Sequence, residues 1–357
     1  MAYTTINKSS SFMNPTLYTG NGSTQSINVG FQPDFTWIKT RSGTTGTEGH
    51  RLQDAVRGST KYLESNGTAQ EGTQTQGVTS FTSTGFNLGT DGSYNYNTAP
   101  IVSWNWKANG AGSSNTDGNN ITSTVSVNTT AGFSIVKYTG TGSASDTIGH
   151  GLGAKPAMVI MRPLGYSGAW WIAHKNLSTD EVLEFNTNGQ APISGFGGGG
   201  LMYSTFTTSV IGGGNGSSNS DLWNTSGQDY IAYCFAEKTG YSRFGKYQGN
   251  GSTDGTFIYT GFKPAFCMIK RSSTDGDDWM MTDNKMNLFN VLDKRLNPNS
   301  NGAEQTTDII DFVSNGFKLR ATPNYINGSG STYIYMVFAE NPFVATSGTS
   351  AIPVTAR

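Results

Sequence analysis

A hydrolase, a transferase or a metal site needs side chains that converge, and this chain offers few. His50, His150 and His174 are its only histidines. None has a histidine or cysteine two to four residues away, the spacing that sets two ligands on one face of a helix or strand. Loop or surface positions are expected for all three. The sequence holds no G-x-S-x-G elbow and no P-loop. The stretch GFGGGGLMY (195–203) lacks the Lys-Ser/Thr that would meet a phosphate and reads as a loop or a tight strand crossing. STDGDDWMMTD (273–283) gathers Asp275, Asp277, Asp278 and Asp283. Oxygen ligands this dense suit calcium, but the spacing is not that of an EF-hand, and a solvated loop is the expectation. No pair of carboxylates is marked out by context as acid and base. Neither an enzyme nor a cofactor is expected.

Aromatics are the remaining lead. GSYNYNTAP (92–100) and GYSGAWWIA (165–173) mix them with Gly, Asn and Ser. Exposed Tyr and Trp present a broad apolar face with a polar edge, suited to stacking on sugar or to protein contact. Tyr94, Tyr96, Tyr166, Trp170 and Trp171 are therefore the candidate contacts for glycan or a partner. The competing reading has Trp170 and Trp171 opening a strand, with one ring in the core.

The elements that would position such residues show as a recurrence. YTGNGS (18–23), YTGTGS (138–143) and YQGNGS (247–252) are nearly one hexapeptide. Each precedes a proline-led run: GFQPDFTWIKTRS (30–42), GLGAKPAMVIMRPLG (151–165) and GFKPAFCMIKRSS (261–273). Anchored on Pro33, Pro156 and Pro264, these runs align without gaps. Each apolar stretch ends in a cation: Lys39, Arg162 or Lys270. Further on, PIVSWNWKANG (100–110) matches YIAYCFAEKTG (230–240) and YIYMVFAENPF (333–343). Blocks recurring in one order predict three tandem units of about 100–120 residues, the size of a domain.

The runs between turns are short and rich in Val, Ile, Tyr and Phe. Asn-Gly, which suits type I′ turns, recurs between them. The expected fold is all-β: three tandem β-sandwich or jelly-roll-like repeats with few short helices. The expected boundaries are an N-terminal arm at 1–11, sandwiches at 12–110, 132–239 and 240–343, a linker at 111–131 and a C-terminal tail at 344–357. Proline-led and closing strands are apolar on both faces and should lie centrally in their sheets. HRLQDAVRGSTKYLES (50–65), HKNLSTDEVLEFNT (174–187) and DNKMNLFNVLDKRL (283–296) read equally as short helices or strand pairs. The arm and the tail have few apolar residues and are expected to order against neighbouring subunits rather than complete a sandwich.

Composition agrees with an all-β chain. Of 357 residues, 13 % are charged and 12 % aromatic, so polarity rests on Ser, Thr, Asn and Gly rather than on charge. The net charge of −1 gives no reason to expect nucleic acid. No apolar run approaches the roughly 20 residues of a membrane span, so no membrane insertion is expected. MAYTTINKSSSFMN lacks the basic start and apolar centre of a signal peptide, and synthesis in the cytoplasm is expected. Cys234 and Cys267 stand in apolar runs whose equivalents carry Val337, Thr36 and Val159. They are expected to be free buried thiols.

The pattern of YTGNGS, GFQPDFTWIKTRS, GFNLG and IVSWNWKANG, with the closing FAENPFVATSGTSAIPVTAR, resembles an uncharacterised repeat domain. That domain belongs to virion structural proteins of tailed bacteriophages, marine ones in particular. The resemblance covers about residues 12–357 and is clearest in the first unit and the C-terminal segment. It implies a place, the phage particle assembled in a host cytoplasm, and no catalytic or binding residue. The expected function is a non-enzymatic tail, fibre or head-decoration protein in contact with other virion proteins and copies of itself. A module that binds host-surface glycan is the alternative.

Overall fold

Among the described residues regular structure is nearly all strand, as β-branched and aromatic runs between turn residues favour. The computed structural model describes residues 4–42, 48–177, 181–189, 205–212 and 223–342. The glycine-rich stretch 195–203 and the tail 344–357 lie outside the described residues. The first unit holds β1 (Met13–Thr19), β2 (Gln25–Asn28), β3 (Phe35–Thr40), β4 (Arg51–Asp54), β5 (Gly58–Leu63), β6 (Gly72–Thr73), β7 (Val78–Thr82), β8 (Gly85–Leu88) and β9 (Pro100–Trp106). Then come β10 (Ser113–Asn115), β11 (Asn120–Ile121) and β12 (Ser123–Asn128). The second unit holds β13 (Phe133–Thr139), β14 (Thr147–Gly149), β15 (Met158–Pro163), β16 (Trp171–His174), β17 (Leu183–Glu184), β18 (Val210–Gly212) and β19 (Asp229–Phe235). The third holds β20 (Ser242–Gln248), β21 (Phe257–Tyr259), β22 (Phe262–Arg271), β23 (Met280–Asp283), β24 (Leu292–Arg295), β25 (Gln305–Val313), β26 (Gly316–Leu319) and β27 (Thr332–Pro342). Two four-residue helices, α1 (Gly92–Asn95) and α2 (Asn324–Asn327), precede β9 and β27. Among the described residues no helix is long and apolar enough to cross a membrane.

Three main sheets share one strand order. They run β1-β9-β3-β4-β5-β6, then β10-β12-β13-β19-β15-β16-β17, then β20-β27-β22-β23. In each, the strand that ends in the hexapeptide lies beside the closing strand, and the closing strand beside the proline-led one. Register agrees to the residue: Phe35 faces Trp106, Met158 faces Phe235 and Phe266 faces Phe338. Those three stand two places after Pro33, Pro156 and Pro264. The closing strands are offset by one from the match read in the sequence. Thr19, Thr139 and Gln248 pair with Pro100, Asp229 and Thr332, so Trp106, not Asn105, is level with Phe235. Smaller sheets, β2-β8-β7, β11-β14-β18 and β21-β26-β25-β24, cover the outer faces.

Strand parity sorts side chains into two kinds of core. Phe35 and Trp37 enter a central cluster while Ile38 enters an outer one. Likewise Met158 and Ile160 part from Val159 and Met161, and Phe266 and Met268 from Cys267 and Ile269. Each outer core belongs to one unit; the central core is drawn from all three. Within it Trp106, Phe235 and Phe338 meet pairwise, with ring centroids 6.3, 5.8 and 6.1 Å apart. The units are thus not separate bodies on a string.

Two expected connectors belong to this body. Residues 111–131, expected as a linker, supply β10, β11 and β12. The apolar–polar alternation of ITSTVSVN makes a strand that pairs six residues with β13 and buries Ile121 and Val125 in the second unit's core. The arm expected at 1–11 buries Ile6 in the central cluster, and its turn at Ser9–Ser11 lies against β27. One isoleucine is enough to dock the segment. The ambiguous stretch 50–65 is the strand pair β4–β5.

The hexapeptide recurs because most of its residues have a mechanical job. Tyr18, Tyr138 and Tyr247 donate their hydroxyls to the main-chain oxygens of Tyr94, Trp223 and Ile326, at 2.8, 2.5 and 2.7 Å. The next residue in each case, Asn95, Asn224 or Asn327, clamps the loop. Its Oδ1 accepts from the N–H of Asn21, Thr141 or Asn250, and its Nδ2 donates to the carbonyl of Ser23, Ser143 or Ser252. Gly20, Gly140 and Gly249 pass so close to the clamp that an added Cβ would stand 2.1, 2.3 and 2.4 Å from a carbonyl oxygen. Gly22, Gly142 and Gly251 have φ of 66°, 84° and 68°, which glycine adopts without steric cost.

Candidate functional site

The seams between units gather much of the chain's buried ionisable chemistry. Lys39, Arg162 and Lys270 sit at matching places on the proline-led strands and are buried. Main-chain carbonyls hold all three. Lys39 Nζ donates to Glu48 O at 2.6 Å and, in the third unit, to Asn301 O at 3.1 Å. Arg162 reaches into the first unit, to Gly67 O, Thr68 O and Ala69 O. Lys270 Nζ donates to Asp277 O at 2.8 Å and, in the second unit, to Asn188 O at 3.2 Å. The direction is cyclic: first unit into third, second into first, third into second. Carbonyl dipoles replace only part of a cation's hydration. Burial accordingly lowers Lys39 and Lys270 to about 8 and Arg162 to about 10.

The ends of the fourth strands form a second cycle in the opposite direction, first unit to second, second to third and third to first. Asp54, His174 and Asp283 face Phe35, Met158 and Phe266 across the ladder, and all are buried. Each caps the turn that follows. Asp54 Oδ1 accepts from Val56 N and Arg57 N, Asp283 Oδ1 from Lys285 N and Met286 N, and His174 Nδ1 from Asn176 N. The other polar atom reaches the neighbouring unit. Tyr233 Oη donates to Asp54 Oδ2 and Trp104 Nε1 to Asp283 Oδ2, each at 2.8 Å. Met336 is level with Trp104 and Tyr233 but has no N–H or O–H, and there His174 Nε2 meets Tyr335 O at 3.3 Å instead. Burial pushes the Asp283 carboxyl up, against its N–H donors.

All three histidines are buried, which corrects the surface positions expected; His50 and His150 do stand in loops, while His174 ends β16. His50 Nδ1 accepts from Trp37 Nε1 at 2.8 Å, and its Nε2 lies 3.1 Å from Asn297 O. His150 Nδ1 accepts from Leu152 N, with Nε2 3.4 Å from Thr207 O. A ring that accepts at Nδ1 and meets a carbonyl at Nε2 carries its one proton on Nε2 and is neutral. Burial lowers His150 to about 4 and His174 to about 3, and takes His50 well below its usual value.

The aspartates of 273–283 serve different partners. Asp278 accepts from Asn297 and Asn299 at 3.0 and 2.8 Å, and Asp277 pairs with Arg271 at 2.6 Å. Asp283, buried at a seam, departs from the solvated loop expected. Among the described residues no group of three or more His, Cys, Asp or Glu is placed to hold a metal ion. Cys234 and Cys267 are free and buried, facing Val159 and Val337 across their ladders.

Three of the five aromatic candidates are interior, which corrects the exposed stacking faces expected of Tyr94, Trp170 and Trp171. Tyr94 lies in the first unit's outer core, with Gln53 Nε2 donating to its hydroxyl. Trp170 Nε1 donates to Glu64 O at 2.7 Å across the seam, and Arg162 stands 5.0 Å from its ring centre. Trp171 opens β16 and is buried. Tyr166 is half-buried, its hydroxyl 3.0 Å from that of Tyr230. Tyr96, at the end of α1, is 39 % exposed. Sequence reasoning missed the seam roles. His50, Trp170 and Trp279 each precede a fourth strand and donate their main-chain N–H to an asparagine of their own unit, Asn66, Asn186 or Asn299, while their rings meet Asn297, Glu64 and Phe185 across the seams. Unlike side chains in one role leave no pattern, whereas the three asparagines do.

The chain belongs to the family described as a domain of unknown function, DUF7483, whose model matches residues 8–342. No curated protein and no solved structure matches it.

Proposed function

We propose that the chain is a non-enzymatic structural protein of a tailed-bacteriophage particle. It serves as a tail or fibre component or a head decoration, in contact with other virion proteins and copies of itself. The observation that carries this reading is the use made of ionisable groups. His50, His174, Asp54, Asp283, Lys39, Arg162 and Lys270 all bind one unit to the next. Groups engaged in this way hold the body together and are not free for turnover. A closed, mutually tied body resists local opening, which suits a particle that must survive outside a cell. The sequence resemblance to phage virion domains supports the same place. Low charge with Ser, Thr and Asn polarity supports a surface without strong steering fields.

The test applies purified protein to a glycan array, to a host-cell adsorption assay and to host envelope polysaccharide. A structural part should bind no glycan, adsorb to no cell and release no reducing sugar. Saturable glycan binding would favour the recognition module, for which Tyr96 and Tyr166 retain some exposure. Release of reducing sugar would overturn the non-enzymatic reading.

A further inference from the structure

The outer sheet of the third unit shows solvent a face unlike its counterpart in the first. On β21 Ile258 points inward, while Phe257 and Tyr259 point out, 45 % and 57 % exposed. Tyr259 is level with Gly316 and Val313, and Phe257 with Lys318 and Asp311. The rows at the same register in the first unit read Asn28, Gly85, Thr82 and Ser26, Asn87, Ser80. This face therefore folds with polar side chains, and the aromatic pair is not needed for the sheet to form. The apolar surface continues onto the loop before β24. Asn290 Nδ2 donates to Phe312 O and Asn290 Oδ1 accepts from Phe312 N, each at 2.9 Å, which fixes that loop along β25. On it Leu288, Val291 and Phe289 are exposed, Phe289 by 81 %.

We propose that this face pairs with the same face of a second copy of the chain. Charge in the Phe257 row and beside it is balanced. Lys318 pairs with Asp254 at 2.8 Å and Arg320 with Asp311 at 2.5 Å. A face with both signs does not repel itself, and it lacks the one-signed field that an anionic polymer or membrane would need. Under a two-fold axis, exposed anion and exposed cation of two copies complement each other. Aliphatic Leu288, Val291 and Val313 beside the rings mark a protein contact more than a sugar platform, which relies on ring faces with polar edges. Size sets the strength. Four strands about 4.8 Å apart and rows of three residues at about 3.4 Å each span roughly 19 by 10 Å. That is well below the ~800 Å² per partner of a stable complex. The pair is weak in free solution and gains where copies are held side by side. This surface assignment rests on one part of the proposed function, contact between copies of the chain; its failure would remove this face as that contact, while the place in the particle is tested separately.

The test is sedimentation velocity of the full chain from about 1 μM to about 1 mM, the range of weak complexes. The wild type should sediment faster as concentration rises. A variant with the first unit's residues, Phe257→Ser with Tyr259→Asn, should associate at least ~10-fold more weakly and unfold at the same temperature, since both side chains are exposed. If that variant unfolds early, Phe289→Ser carries the same expectation. A wild type that stays monomeric across the range overturns the pairing, as do variants that associate as the wild type does. Glycan binding by a monomeric wild type, lost in the double variant, would give the face to carbohydrate instead.

Discussion

Trp104 Nε1 donates to Asp283 Oδ2 across 2.8 Å, between residues 179 apart in sequence. That bond closes the third unit onto the first, as Tyr233 on Asp54 closes the first onto the second. The remaining pair is closed by His174 on a main-chain oxygen.

Asp283→Asn would set an amide N–H₂ against the Trp104 N–H or withdraw the acceptor from Lys285 and Met286. It should destabilise the chain by about 1–3 kcal/mol, the cost of an unmet buried polar group. Trp104→Phe should cost a similar amount. The double variant should fall short of the sum, with a coupling of about 0.5–3 kcal/mol in urea denaturation. Strict additivity would mean that the two side chains do not share a bond.

The recurrence of the hexapeptide makes a second prediction. Gly20→Ala, Gly140→Ala and Gly249→Ala each drive a Cβ into a carbonyl oxygen and should cost about 1–3 kcal/mol or more. Gly30, at φ +90° with nothing within 4 Å of an added Cβ, is the control. Gly30→Ala should cost about 1 kcal/mol, through its left-handed backbone alone. Thermal unfolding gives the ranking. A Gly30 variant as unstable as the other three would show that close approach does not explain the motif.

The proline-led and closing strands were legible because β-branched and aromatic runs between turns have one local solution, whereas β4–β5 reads equally as a short helix and β10–β12 lie in a stretch that reads as a linker. The prolines gave the right register for the third strands, since no gap falls between Pro33 and Lys39 or their counterparts. The hexapeptide could be seen but not explained, because the asparagines that clamp it lie 74, 83 and 77 residues away. The seams were not legible. Lys39, Arg162 and Lys270 recur, but their partners are main-chain carbonyls, which no side-chain pattern announces. Trp170 and Trp171 follow the turn-forming residues GYSGA and so read as loop aromatics. At the head of a strand, period two sends them to opposite faces, and the sequence does not say that both faces are covered. Phe257 and Tyr259 escaped notice for the converse reason: their exposure follows from parity on a three-residue strand.

The buried histidines make stability depend on acid. His150 and His174 stand at about 4 and about 3 in the folded chain, against roughly 6.5 unfolded. Between those values the folded state binds fewer protons than the unfolded one. Their contribution is therefore complete above about pH 6.5 and lost as pH falls through the folded values. Asp283, with its carboxyl raised, acts in the opposite sense over the acid range and offsets part of the loss. His174→Asn keeps an acceptor for Asn176 and removes one titration. Its unfolding midpoint should fall less steeply than that of the wild type between pH 7 and pH 4. Equal slopes would mean that His174 titrates alike in both states.

The two thiols should be inert. Burial pushes Cys234 up to about 12 and Cys267 well above its ordinary value, so neither forms thiolate near neutrality. A thiol reagent at pH 8 should modify neither in the native protein and both in urea. Cys234→Val and Cys267→Val should each cost under about 1.5 kcal/mol, as volume-conserving swaps do. Rapid native labelling, or a disulfide in a non-reducing digest, would contradict this.

The proposed place in the phage particle is tested most directly by quantitative mass spectrometry of phage particles purified from a culture in which this chain is expressed. A virion structural protein must be present after high-salt washing, at a copy number fixed relative to the major particle proteins. Infectious particles that lack the chain, with its peptides confined to the infected-cell lysate, would contradict the proposal.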